Sequence, residues 1–148
     1  MEDGFKLEQV AIRLVPEAAV WDAEPIRSPE RAVEVIGKYI RDMDREAACV
    51  VNFNARLQPI NFQIVSIGTL DRALCEPREL LKAGILSNAS SMMILHNHPA
   101  GSIAPSGCDM QMTERMEKVC ELVGIPLMDS IIVGFGREDY FSFRDASM

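Results

Sequence analysis

The chain has 148 residues, 48% hydrophobic and 25% charged, the balance of one soluble globular domain with enough length to bury a core. Its net charge of −7 and pI near 4.8 argue against a broad nucleic-acid surface, which is normally basic. No apolar run approaches the roughly 20 residues of a membrane span. Met1-Glu2-Asp3-Gly4 is acidic and lacks a signal-peptide core, so a cytoplasmic location and no membrane contact are expected.

Val10, Ile12 and Leu14 alternate within residues 5–14, which predicts an edge strand. Residues 15–27, with Pro16, Trp21 and Pro25, read as a loop or arm. Residues 1–27 are therefore expected to be an N-terminal strand and arm, and residues 28–148 the single domain. Ser28-Pro29-Glu30 starts a helix: an N-cap serine, proline at the first helical position, then an acid. Ala32, Val33, Val35, Ile36, Tyr39 and Ile40 give it an apolar face. Strands are expected at about 46–54 and 58–67, joined by a hairpin turn at Asn54-Ala55-Arg56-Leu57. A second helix is read from Pro77 to Asn88, with Leu80, Leu81, Ile85 and Leu86 apolar. Ser91-Met92-Met93-Ile94-Leu95 is a short apolar run that reads as a buried strand. A third helix runs from about Ser106 to Val123, closed by Gly124 and Pro126. Residues 127–134 and 139–143 look like the last strands. Helices interleave with strands, so the class is α/β or α+β, with a mixed central sheet flanked by about three helices.

Cys49, Cys75, Cys108 and Cys120 form no C-x-x-C pair and read as reduced thiols. Cys108 neighbours Asp109 but points differently on a helix, which disfavours it as a metal ligand. Arg41, Arg45 and Arg56 are the nearest approach to a basic patch and read as a solvated face. Met92, Met93, Met110, Met112 and Met116 are expected to fill the core.

The chemistry concentrates in His96-Asn97-His98-Pro99, followed by Pro105-Ser106 and Asp109; the chain's two histidines both lie here. Side chains at i and i+2 of a strand share a face, so His96 and His98 project together while Asn97 points away. Ser106-x-x-Asp109 resembles a capping box, and the loop carrying Gly101 and Pro105 lets the helix start fold back on the imidazoles. Taken singly, Ser106 is a plain N-cap and Asp109 an ordinary helix-start carboxylate. Together, two imidazoles and one carboxylate leave a fourth tetrahedral position for water, the pattern of catalytic zinc. Iron, manganese and nickel stay open on the same donor set.

At these residues the chain resembles the JAMM (also MPN or JAB-type) metalloprotease motif, E…H-x-H-P…S-x-x-D, and within it the bacterial RadC-like branch. His96 to Asp109 carries the match, supported by Gly68-Thr69-Leu70, Pro77-Arg78-Glu79, and Gly124-Ile125-Pro126-Leu127 with Asp129; the likeness runs from about Ser28 to about Phe143. It implies the JAMM/MPN fold, related in architecture to cytidine deaminases. It implies Zn2+ ligation by His96, His98 and Asp109, and a hydrogen bond from Ser106 to the developing oxyanion. The family glutamate that handles the reactive water opens a strand upstream. Glu46 matches it best, with Glu76 and Glu79 as competitors. Asp129 is a candidate outer partner for a ligand imidazole. Two features depart from the pattern. The chain is too short for the N-terminal helix-hairpin-helix region found in many RadC-like proteins, and Asp129 is followed by Ser130 where many members have histidine.

The resemblance implies a zinc metallohydrolase acting on a peptide or isopeptide bond of a peptide or protein substrate. The alternative is a non-enzymatic RadC-like binding module, for which DNA is a possible partner disfavoured by the acidic pI. A base deaminase ranks last, because H-x-E and P-C-x-x-C are both missing.

Overall fold

A computed structural model of the chain describes residues 4–17, 24–68 and 76–147. Trp21, Thr69, Leu70 and Cys75, drawn on above, lie outside them. The described elements are α1 (Pro29–Val35), a 3-10 turn (Gly37–Tyr39), β1 (Ala47–Phe53), β2 (Pro59–Ile67), α2 (Pro77–Leu86), β3 (Ser91–His98), α3 (Gly107–Val123), β4 (Leu127–Gly134), β5 (Tyr140–Ser142) and α4 (Phe143–Ala146). The strands form one mixed sheet in the order β2-β1-β3-β4-β5, in which only the β3–β4 pair is parallel. The crossover between those two is α3, as a parallel pair requires. No helix among the described residues is long and apolar enough to cross a membrane.

The sheet has two covered faces. Odd-numbered β3 residues Met93 and Leu95 pack with Val33, Ile36 and Ile40 on the α1 side. Even-numbered Met92 and Ile94 pack with Leu80, Met116 and Cys120 under α2 and α3. β1 and β3 are thus buried on both faces, which is why they read as continuous apolar runs rather than alternations.

The helix starts follow their signals. The Ser28 side chain accepts from Arg31 N–H at 3.2 Å, and Pro29 opens α1. Gly124, in the left-handed conformation, caps α3. Tyr39, expected on the apolar face of α1, lies beyond that helix, is half exposed and stacks on Phe62. Gly37 ends the regular helix and lets the backbone press against Val33 and Val133.

Other expectations are corrected. α2 turns Leu80, Leu81, Ala83 and Gly84 inward, leaving Ile85 and Leu86 exposed. The reason is close approach: a β-carbon on Gly84 would lie 2.8 Å from the buried Asn52 Oδ1. Met110 is exposed, whereas Met92, Met93 and Met116 are core. Residues 5–14 do not form a strand, and their apolar side chains find no cover among the described residues. The short α4 was not anticipated. The arginines make no patch: Arg45 precedes β1 and Arg56 follows it, so a strand of 7 residues separates them, about 23 Å at 3.3 Å per residue.

Candidate metal centre

Strand parity, register and one helix cap together build the site. His96 and His98 continue the even-numbered series of Met92 and Ile94, so they face the side that α3 covers. α3 begins there with a full capping box: Ser106 Oγ accepts from Asp109 N–H at 3.1 Å, and Asp109 Oδ2 accepts from Ser106 N–H at 2.8 Å. The box holds the Asp109 carboxylate against the imidazoles. His96 Nε2 lies 3.1 Å from Oδ1, and His98 Nε2 lies 3.1 Å from Oδ2. The three donor atoms fall within 4.8 Å of one another. Among the described residues this is the one group of His, Cys, Asp and Glu so arranged, and Cys108 is exposed and outside it.

The hydrogen bonds fix the demand for a cation. His98 Nδ1 sits 2.7 Å from the Ser102 carbonyl, which only accepts, so Nδ1 carries the proton. In the neutral ring, Nε2 then presents a lone pair to the Asp109 carboxylate. Something positive belongs between them, either a second proton or a metal ion. Accordingly, the bond to Asp109 shifts the His98 pKa upward against the effect of burial, with help from the Ser102 carbonyl and the charges of Asp109 and Glu46. Burial raises the Asp109 pKa. The neighbouring His96 and His98 rings and the Ser106 N–H outweigh it and hold this carboxyl well below the usual range. The buried His96 ring has both nitrogens without an aligned hydrogen bond. These observations fit a metal: one nitrogen of each ring lies 3.1 Å from an Asp109 oxygen, close to the ~3.4 Å between ligands about 2.1 Å from a tetrahedral ion.

Glu46 reaches the same face by register. β1 and β3 run antiparallel with Ala48 opposite His96. Continued by two residues, the register puts position 46 opposite position 98, and even parity turns it toward the histidines. The Glu46 charge acting on His98 agrees with this. The competitors are engaged elsewhere: Glu76 pairs with Arg115 at 3.5 Å and Glu79 with Lys82 at 2.9 Å, all of them exposed.

Ser106 is exposed at the helix start. Its oxygen accepts from Asp109, so its own proton is free to donate outward. Asp129, considered as an outer partner of the imidazoles, is not one. It pairs with Met93 at the far end of β3 and accepts from Ser130 N–H, Arg144 N–H and Ser142 Oγ. The outer partner of His98 is the Ser102 carbonyl, a backbone group that no residue identity announces.

Asn97 was also missed. It is fully buried on the opposite face. Its Oδ1 accepts from Ala47 N–H at 2.6 Å, and its Nδ2 donates to the Arg45 carbonyl at 2.9 Å. It therefore grips the backbone on both sides of Glu46, whose own carbonyl accepts from Gly68 N–H at 2.7 Å. A buried asparagine between two histidines was the available signal, since a buried amide needs partners.

Comparison with known proteins agrees with this geometry. A protein from Streptococcus sanguinis (strain SK36) is 32% identical over 133 residues, covering 90% of this chain and 58% of its own. One from Chlorobaculum parvum is 37% identical over 123 residues, covering 83% and 54%. One from Desulforamulus reducens is 36% identical over 129 residues, covering 85% and 57%. Each is named UPF0758 protein. The chain thus spans somewhat more than half the length of these relatives. The family model of the RadC-like JAB domain matches residues 26–148, and with the His96, His98 and Asp109 group at its expected place the chain belongs to that family.

Proposed function

We propose that the domain is a zinc-dependent hydrolase of peptide or isopeptide bonds. The observation that carries the reading is the convergence of His96, His98 and Asp109 on one sheet face, beside Glu46. His96, His98 and Asp109 would hold a zinc ion, which would supply a water of pKa lowered to about 7 and a Lewis acid for a carbonyl. Glu46 accepts the proton of the attacking water and returns it to the departing amine. The Ser106 hydroxyl donates to the developing oxyanion, a contribution of about 3 kcal/mol where such donors have been removed. The Ser102 carbonyl keeps His98 in the tautomer that leaves Nε2 free to ligate.

A nitrogen and oxygen donor set without thiolate favours zinc in a catalytic rather than a structural role. The free thiols Cys49, Cys108 and Cys120 support a reducing, cytoplasmic setting. The net charge of −7 and the separated arginines disfavour DNA as the partner and favour a peptide or protein.

The test compares wild type with Glu46→Gln after zinc reconstitution and desalting. Elemental analysis is expected to give about one zinc per chain in both. A peptide and isopeptide panel is expected to be cleaved by the wild type alone, and cleavage to stop on chelation. Cleavage by Glu46→Gln at the wild-type rate would defeat the base assignment. Full zinc with no cleavage across the panel would favour the binding module.

A further inference from the structure

We propose that the Asn97 side chain is the positioning residue for Glu46: it sets where that carboxylate stands relative to His96 and His98, so that proton transfer fails without it while the metal ligands stay in place. The inference rests on the reading of Glu46 as proton acceptor. Parity turns the middle residue of His96-Asn97-His98 away from the imidazoles, onto the α1 side of the sheet. There Asn97 is fully buried and uses both ends of its amide. Oδ1 accepts from Ala47 N–H at 2.6 Å. Nδ2 donates to the Arg45 carbonyl at 2.9 Å and, at a longer 3.4 Å, to the Met43 carbonyl. The Arg45 carbonyl and the Ala47 N–H belong to the two peptide groups that flank the Glu46 α-carbon. One amide therefore holds both, and with them the direction in which the Glu46 side chain leaves the backbone.

Regular structure does not tie residue 46 to β3. The ladder between β1 and β3 ends with Ala48 opposite His96. Residues 40–46 belong to no helix or strand. Gly68 N–H donates to the Glu46 carbonyl, but this joins the residue to the end of β2 rather than to the strand that carries the histidines. The histidines themselves are held in another way. His96, Asn97 and His98 pair along their backbone with Ile132, Val133 and Gly134 of β4. The Ser102 carbonyl orients the His98 ring, and the capping box presents Asp109. None of these contacts passes through the Asn97 side chain, so one substitution separates the two parts of the site.

The grip needs a donor and an acceptor on one short planar group, which an amide supplies. Serine is too short to span both peptide groups. Aspartate keeps the shape and the acceptor for Ala47, but turns a second acceptor on the Arg45 carbonyl. A displacement of about 1 Å in a reacting group costs on the order of 100-fold in rate. An interaction felt only in the transition state falls on kcat and leaves KM alone.

The test compares the full chain as wild type and as Asn97→Ser, with melting to establish that the fold is kept. Asn97→Asp carries the same comparison if the serine variant does not fold. After zinc reconstitution and desalting, the variant is expected to hold about one zinc per chain and to lose about 100-fold in kcat at unchanged KM. Crystal structures of the two metal-free proteins read the placement directly. The Glu46 carboxylate is expected to move by about 1 Å or more in the variant, with both imidazoles superimposing on wild type. A Glu46 carboxylate in its wild-type place would overturn the proposal. So would a variant that keeps the wild-type kcat, or one that loses zinc together with cleavage. If wild type itself cleaves no peptide or isopeptide, the hydrolase reading fails instead, and the two crystal structures still decide whether Asn97 places Glu46.

Discussion

Alanine at His98 is expected to reduce the zinc content from about one equivalent to nearly none, and alanine at Gly134 to weaken affinity about 10–100-fold. The first change removes a proposed ligand. The second acts without touching one. Gly134 pairs with His98 across the parallel β3–β4 ladder. A β-carbon on Gly134 would stand 2.5 Å from the Gly101 carbonyl oxygen and 3.0 Å from Ile103 Cγ2. The first contact is with backbone, so no rotamer relieves it and the loop must move. That loop supplies the Ser102 carbonyl to His98 and leads into the capping box that presents Asp109. Chelator competition on both variants, with melting as a control for folding, measures the effect. Wild-type affinity in Gly134→Ala would show that the loop does not hold His98 in ligating position.

Alanine at Asp129 is expected to cost about 3 kcal/mol of stability, because it strands buried donors that each cost about 1–3 kcal/mol when unpaired. Asp129 ties β4 to the C-terminal turn through Ser130 N–H, Arg144 N–H and the Ser142 hydroxyl. Ser142 in turn caps α4 through Asp145 N–H. Burial raises the Asp129 pKa, and the hydrogen bonds from Ser142, Arg144 and Ser130 offset this only in part. The sign follows: a folded carboxyl raised above its unfolded value favours the fold most below the unfolded pKa, near 3.9. That advantage is lost as pH rises through the folded value. Asparagine keeps an acceptor oxygen for the Ser130 and Arg144 N–H groups and donates its NH2 to the Ser142 oxygen, without the buried charge, so Asp129→Asn is expected to gain on wild type as pH rises through that range. Denaturant midpoints for the three proteins from pH 4 to 7 decide it; an Asn variant as weak as the Ala variant at pH 7 would mean that the charge itself is required.

The site was legible where chemistry and periodicity coincide. His96 and His98 share a strand face by parity alone, and Ser106-x-x-Asp109 is a local motif whose cap geometry needs no tertiary information. β1 to β4 were legible for the same reason, each being an apolar run between clear turn signals. What escaped depends on partners distant in sequence. The inward face of α2 is decided by the approach of Gly84 to Asn52, which shifts burial from Ile85 and Leu86 to Ala83 and Gly84. The clamp of Asn97 on Arg45 and Ala47 spans about fifty residues. The alternation of Val10, Ile12 and Leu14 is a strand pattern, but a strand needs a neighbour, and none lies beside it among the described residues.

The brace formed by Asn97 also bears on how the molecule fails. One tripeptide holds the two imidazoles on one face of the sheet and the Glu46 backbone on the other. The separation of Glu46 from His96 and His98 is therefore set by the β1–β3 ladder, the most enclosed part of the sheet. Fraying at chain ends or surface loops leaves that separation unchanged, since such openings lie at the low end of local stability. It is lost only when the central strands part. On heating, the alignment of Glu46 with the histidines should accordingly persist up to cooperative melting, with no long-lived state in which the sheet survives and the alignment does not.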